Sequence, residues 1–212
     1  MKTKKTLIIL FLISMSVTSY AQKKISGEQS GTLGPGKYIV TGNIKIEAEK
    51  CLTIAPGTTF IHESGNYIWE IYGSFKAIGT QKDSIYFLSK EGVEQNKHWS
   101  GLRFLEGAPA ATLDYCVVDN CYLDYSDDYI SGVNVSGGKR LTLTHSRISN
   151  CYSWNFSSGV YVANSVAFIN HCKIINNAVV NHLKGPGIYL KNCKDSQIFN
   201  SVIAYNHSVG GG

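Results

Sequence analysis

The chain has 212 residues and a formal charge of +5, and setting aside the three lysines of its first 21 residues leaves +2, too small an excess to argue for nucleic acid or anionic lipid as a partner. Its three arginines, Arg103, Arg140 and Arg147, fall short of the guanidinium supply on which phosphate readers usually rely. Abundant Tyr, Val, Ile and Thr, with Gly and Asn as punctuation and four prolines in all, point to β structure and offer no convincing amphipathic helix.

Residues 1–21 read as an export signal. Lys2, Lys4 and Lys5 are followed by the short apolar run Leu7 to Ile13 and a small-x-small cleavage site, Ser19-Tyr20-Ala21. The run is too short for a confident membrane span, and no cysteine follows the cleavage site to take a lipid anchor. The expected location is therefore extracellular, on the outer cell surface or in the periplasm. Residues 22–35 read as an N-terminal leader, and residues 36–212 as one domain.

Within that domain the first strand-like pieces are Gly42-Asn-Ile-Lys-Ile46, Leu52-Thr-Ile-Ala-Pro-Gly-Thr58, Gly73-Ser-Phe-Lys-Ala-Ile-Gly-Thr80 and Ile85-Tyr-Phe87. A repeat then sets in. Gly101-Leu-Arg-Phe104, Gly132-Val-Asn-Val135, Gly159-Val-Tyr-Val162 and Gly187-Ile-Tyr-Leu190 start 31, 27 and 28 residues apart. Each is followed by a second segment whose columns agree. Leu113, Leu143, Ile169 and Ile198 form one column, and Cys116, Ser146, Cys172 and Ser201 the next. Val118, Ile148, Ile174 and Ile203 follow, and then Asn120, Asn150 and Asn176, broken by Tyr205. A strand-rich unit under 30 residues long cannot bury its apolar face alone, but stacked coils can, with like residues about 4.8 Å apart. Asparagine suits the bends because it tolerates left-handed backbone. The expected fold class is all-β, a right-handed parallel β-helix built as a single-stranded solenoid.

The repeats look like those of the pectin-lyase-like superfamily, and the first half resembles the opening coils of secreted bacterial right-handed β-helix proteins, over roughly residues 36–209. The resemblance implies a fold rather than one activity, since lyases, hydrolases, adhesins and inactive binders share it. Arg147-Ile148 is similar to part of a pectinase signature, but the Asn-Thr-Asp and Gly-His-Gly elements of polygalacturonases are missing. Gly210-Gly-Gly212 falls where another coil's glycine would stand, with no polar cap after it. The sequence is accordingly expected to be truncated at its C-terminus, with an open last coil able to self-associate.

The segments between each asparagine bend and the next glycine should project on one side. They gather Tyr122, Tyr125, Tyr129, Tyr152, Trp154 and Phe156 with Asp124, Asp127 and Asp128. Aromatic faces beside carboxylates suit sugar rings, whereas packing of the aromatics on the coil wall is the plainer reading. Asp127-Asp128 are the candidate catalytic acids for a glycosidase, or Ca²⁺ ligands for a lyase, against a solvated turn. No cofactor is otherwise implied. His145 and His171 share a column with Tyr115 and Asn200, where ladder packing is favoured over a metal. Cys121 and Cys151 share a column on adjacent coils, within disulfide range, while Cys116 and Cys172 stand two coils apart; free buried thiols are the alternative for all. A polysaccharide-binding module is the first expectation. A carbohydrate-active enzyme, lyase or glycosidase, comes next, and a structural or adhesive stalk third.

Overall fold

A computed structural model describes residues 22–123, 132–137, 140–154, 157–180 and 185–208. The expected signal segment lies outside the described residues. The chain winds into a parallel β-solenoid of about 6 turns, and every strand pairing among the described residues is parallel. No described helix is long and apolar enough to cross a membrane.

Three sheets form the walls. The longest is continuous because the 11-residue strand Gly36–Ile46 turns its first half to Thr58–His62 and its second half to Ile68–Ile71. One arm continues through Gly101–Phe104, Val133–Ser136, Val160–Ala163 and Ile188–Lys191. The other runs through Ile85–Ser89, Cys116–Asp119, Arg147–Ser149, Lys173–Ile175 and Val202–Ala204. A seven-stranded sheet stacks Gly31–Leu33 up to Gln197–Phe199, and a narrow one stacks Tyr122–Leu123, Tyr152–Ser153, Ala178–Val179 and His207–Ser208. Residues 22–35, expected as a leader, carry Lys23–Glu28 and Gly31–Leu33, which pair with Gly36–Ile46 and Cys51–Ile54 and so open the first rung.

The columns read from the repeat are rungs of these sheets. Leu113, Leu143, Ile169 and Ile198 pair in register, as do Val118, Ile148, Ile174 and Ile203. The repeat glycines have a steric cause. A Cβ on Gly101 would meet the Gly132 carbonyl oxygen at 2.3 Å, one on Gly132 the Gly159 oxygen at 2.2 Å, and one on Gly159 the Gly187 oxygen at 2.3 Å. The backbones of successive rungs touch at this corner, and only hydrogen fits between them.

Two further corners turn through left-handed backbone. Asn120, Asn150, Asn176 and Tyr205 hold φ of 53°, 54°, 57° and 57°, and Tyr115, His145, His171 and Asn200 hold 49°, 45°, 53° and 50°. The second set includes large rings, for which this conformation costs about 1–2 kcal/mol each. Stacking offsets part of that cost. The Tyr115 and His145 rings lie 4.6 Å apart at 9°, and those of His145 and His171 5.2 Å apart at 17°.

The interior changes character along the axis. The early rungs are filled by an aromatic cluster of Phe60, Trp69, Phe75, Phe87, Trp99 and Phe104, with edge-on and stacked contacts such as Phe60–Trp69 at 5.0 Å. Later rungs use aliphatic ladders. At the last described rung the ladder position Ile203 is 47 % exposed, whereas Ile174 one rung before it is 0 % exposed. This edge is covered on one side only among the described residues.

Candidate functional site

The asparagine corner and the narrow sheet enclose a groove of ≈ 480 Å³ running along the solenoid axis. Asn120, Asn150 and Asn176 form one wall, and Tyr152, Ala178 and His207, paired in register on the narrow sheet, form the other. Val93, Gln95 and His98, around the 3-10 turn Gln95–Lys97, close its N-terminal end. Two-residue strands explain why this wall exists: just beyond each αL asparagine the chain pairs for two residues with the neighbouring rungs.

The amides are held rather than loose. The Asp119 carboxylate accepts hydrogen bonds from Asn120 Nδ2 (3.0 Å), Asn150 Nδ2 (2.8 Å) and Ser149 Oγ, tying two rungs of the wall together. His98 Nε2 lies 3.0 Å from the Val93 carbonyl oxygen, so the closing turn is fixed as well.

Tyr122 and Tyr152 stack with ring centroids 5.3 Å apart and planes at 3°. Trp154 joins them by donating its Nε1–H to the Tyr122 hydroxyl at 3.0 Å. Tyr122 is buried, whereas Tyr152 and Trp154 are half-buried. Tyr122 therefore supports the other two rings, and of the three it is Tyr152 that lines the groove. Burial, and then the neighbouring Tyr122 phenol, raise the Tyr152 pKa above its ordinary value, so its hydroxyl stays a neutral donor. The other residues expected here, Asp124, Tyr125, Tyr129 and Phe156, and the candidate acids Asp127 and Asp128, lie outside the described residues.

The groove's amide wall, His98 and His207 are site residues that sequence reasoning misses. The asparagine column is visible in the repeat, but its role as a bend explains it sufficiently. A second aromatic pair, Tyr161 and Tyr189, stacks at 5.5 Å and 5° on the outer face of the long sheet. Its signal in the sequence is the tyrosine two places after the repeat glycine.

Cys121 and Cys151 are buried on adjacent rungs as free thiols, with the Cys121 thiol in hydrogen-bonding contact with that of Cys151. Burial, then that contact, push the Cys121 thiol well up, and burial first and Asp114 second do the same for Cys116. The column continues as Asn177 and Asn206, whose amides cap backbone groups of neighbouring rungs. In the native protein Cys51, which is exposed, should react with a thiol reagent first and half-buried Cys193 more slowly. The remaining four should react only on unfolding. Six thiols counted in denaturant support the free pair, and four would establish a Cys121–Cys151 bridge.

Residues 95–212, more than half of the chain, match the family described as right handed beta helix region. No curated protein and no solved structure matches the chain. With its parallel walls, its glycine corner and its asparagine bends falling on the matched segment, the chain belongs to the right-handed β-helix family.

Proposed function

We propose that this chain is an exported β-helix module that binds polysaccharide in the groove between the asparagine corner and the narrow sheet. The observation that carries this reading is the pairing of one groove-lining aromatic ring, Tyr152, with a wall of amides repeated once per rung. A sugar presents an apolar C–H face, which stacks on an aromatic ring, and hydroxyl edges, which exchange hydrogen bonds with amides. The rungs recur at about 4.8 Å, so an extended glycan lying along the axis meets an equivalent amide at each step. Export rests on the lysine-led apolar segment and small-residue cleavage site of residues 1–21.

The described lining offers amides, imidazoles and a phenol, a set suited to holding a glycan rather than to the paired-carboxylate chemistry of glycoside hydrolysis. The test is affinity electrophoresis of the protein in gels containing a panel of polysaccharides, with a parallel assay for new reducing ends and unsaturated products. Retention without turnover is expected. It should fall at least tenfold in Tyr152→Ala, which removes the stacking face, and two- to threefold in Trp154→Phe, which removes the bond that orients Tyr122. Turnover of any polymer would replace this reading with an enzymatic one. Retention unchanged in Tyr152→Ala would remove the groove as the site.

A further inference from the structure

His145 and His171 stand on successive rungs at the corner opposite the asparagine bends, with left-handed φ of 45° and 53°. The bend itself asks for asparagine, which tolerates this backbone and bonds locally. Asn200 makes the same turn one rung later, and Asn120, Asn150 and Asn176 make the turn at the far end of the same strands. Turning the chain therefore does not account for two imidazoles in one column. Their rings stack 5.2 Å apart, and the Tyr115 ring backs His145 at 4.6 Å.

One carboxylate sets the chemistry of the column. Asp114, on the preceding rung, accepts from Thr144 Oγ1 at 2.7 Å and lies 2.9 Å from His145 Nδ1. A carboxylate only accepts, so the proton of this contact sits on Nδ1. Nε2 is then turned away from Asp114, on a side chain that is 40 % exposed. Metal-bound histidines are held in the same way: the second ring nitrogen donates to a carboxylate, which fixes the ring and makes the ligand more basic. His171 is exposed, and no hydrogen bond holds its ring among the described residues. The present ring spacing is wider than the about 3.4 Å between two nitrogens on one tetrahedral metal. A tilt of the unrestrained His171 ring toward His145 closes that gap.

We infer that this corner binds a divalent transition metal, of the nickel, copper and zinc class, through Nε2 of His145 and a ring nitrogen of His171. Asp114 acts as the positioning residue. The inference is independent of the groove reading. Imidazole nitrogen suits these metals, whereas magnesium and calcium ask for oxygen. The cationic side chains of Arg147 and Lys173, two residues along each strand, further disfavour an ion that relies on charge alone. No group of three His, Cys, Asp or Glu converges for a metal among the described residues, so water completes the coordination sphere and the ion stays exchangeable.

The test titrates the full chain with the chlorides of Ni²⁺, Zn²⁺ and Mg²⁺, beside His145→Asn, His171→Asn and the two together. Asparagine suits the bend, so these variants should keep the wild-type melting temperature without metal. One Ni²⁺ per chain is expected, bound at least tenfold more tightly than by either single variant. Zn²⁺ should shift the imidazole resonances of both histidines, and Mg²⁺ should not bind. Asp114→Ala should weaken Ni²⁺ binding about tenfold and free His145 to take its other tautomer, read from the ring nitrogen shifts. Asp114→Asn, whose amide oxygen still accepts from Nδ1, should recover part of that loss. Unchanged Ni²⁺ affinity in the double variant would overturn the site. Loss in one single variant and none in the other would overturn chelation and leave a lone histidine contact. Equal binding of Mg²⁺ would overturn ligation by nitrogen, and wild-type affinity in Asp114→Ala would overturn the positioning role.

Discussion

Gly132→Ala should cost about 2–5 kcal/mol, a large share of the stability of a domain this size. Two separate effects add at this position. The backbone φ is +80°, where a Cβ costs about 1–2 kcal/mol. The Cβ would also stand 2.2 Å from the Gly159 oxygen and 2.4 Å from the Ser158 oxygen, and these are backbone atoms of the next rung, which cannot rotate away. Forcing rungs apart at one corner strains the hydrogen bonds on both sides, including Val133 N–H to the Gly159 oxygen at 2.9 Å. Overpacking of this kind costs about 1–3 kcal/mol.

Two companion variants separate the contributions. Gly107 has φ +85° and open space for 4 Å around the position a Cβ would take, so Gly107→Ala carries the backbone cost alone. Gly159 lies outside the left-handed region, but its Cβ would stand 2.3 Å from the Gly187 oxygen, so Gly159→Ala carries the steric cost alone. Urea unfolding of the three variants should rank Gly132→Ala as the most destabilised, near the sum of the other two. A Gly132→Ala cost equal to that of Gly107→Ala would show that the rungs can slide apart without penalty, and the steric account of the repeat glycine would be wrong.

That glycine also shows why so much of the fold is legible in the sequence. A solenoid writes each structural requirement several times, so Gly101, Gly132, Gly159 and Gly187 stand out at near-constant spacing, and the Leu113 and Val118 columns align by residue type alone. Requirements that occur once leave no such trace. Lys23–Glu28 and Gly31–Leu33 precede the repeat; the first pairs with a strand that serves two arms of one sheet and the second with Cys51–Ile54 in another, so their place in the first rung has no periodic signal. The narrow sheet uses two residues per rung, too few for alternation to be seen. The groove is hidden twice over. Its asparagines are already accounted for as bends, and the turn that closes it, Gln95–Lys97, comes from a stretch outside the aligned columns. Tyr122 illustrates the limit of composition: it belongs to the aromatic edge by sequence, yet it is buried beneath Tyr152 and Trp154 and acts as their support.

His62 has no partner visible in the sequence, and in three dimensions it is the most constrained polar side chain of the early rungs. It is fully buried, its Nδ1 lies 2.9 Å from the Leu88 carbonyl oxygen, and its Nε2 accepts the Trp69 indole N–H at 2.9 Å. Its ring stacks on Trp99 at 4.0 Å and 8°. These partners fix the neutral tautomer with the proton on Nδ1, because Nε2 must present a lone pair to the indole. Burial pushes its pKa down to about 3, with the bond to Leu88 opposing the shift. The unfolded chain, with a histidine near its ordinary value of about 6.5, therefore takes up a proton before the folded one. The contribution of neutral His62 is fully present above a pH of about 6.5 and is lost as pH falls from there toward about 3. At pH 5 the loss amounts to about 2 kcal/mol. His62→Gln keeps an amide donor and acceptor but does not titrate, so it should be less stable than the wild type at pH 7.5 through imperfect packing against Trp99. The gap should narrow by about 2 kcal/mol at pH 5, read by urea unfolding at both values. The imidazole resonances of His62 should also remain those of the neutral ring down to pH 5. A gap independent of pH, or a ring that protonates near its ordinary value in the folded protein, would mean that the Trp69–His62–Leu88 chain opens in solution and that the aromatic core of the early rungs is looser than its contacts require.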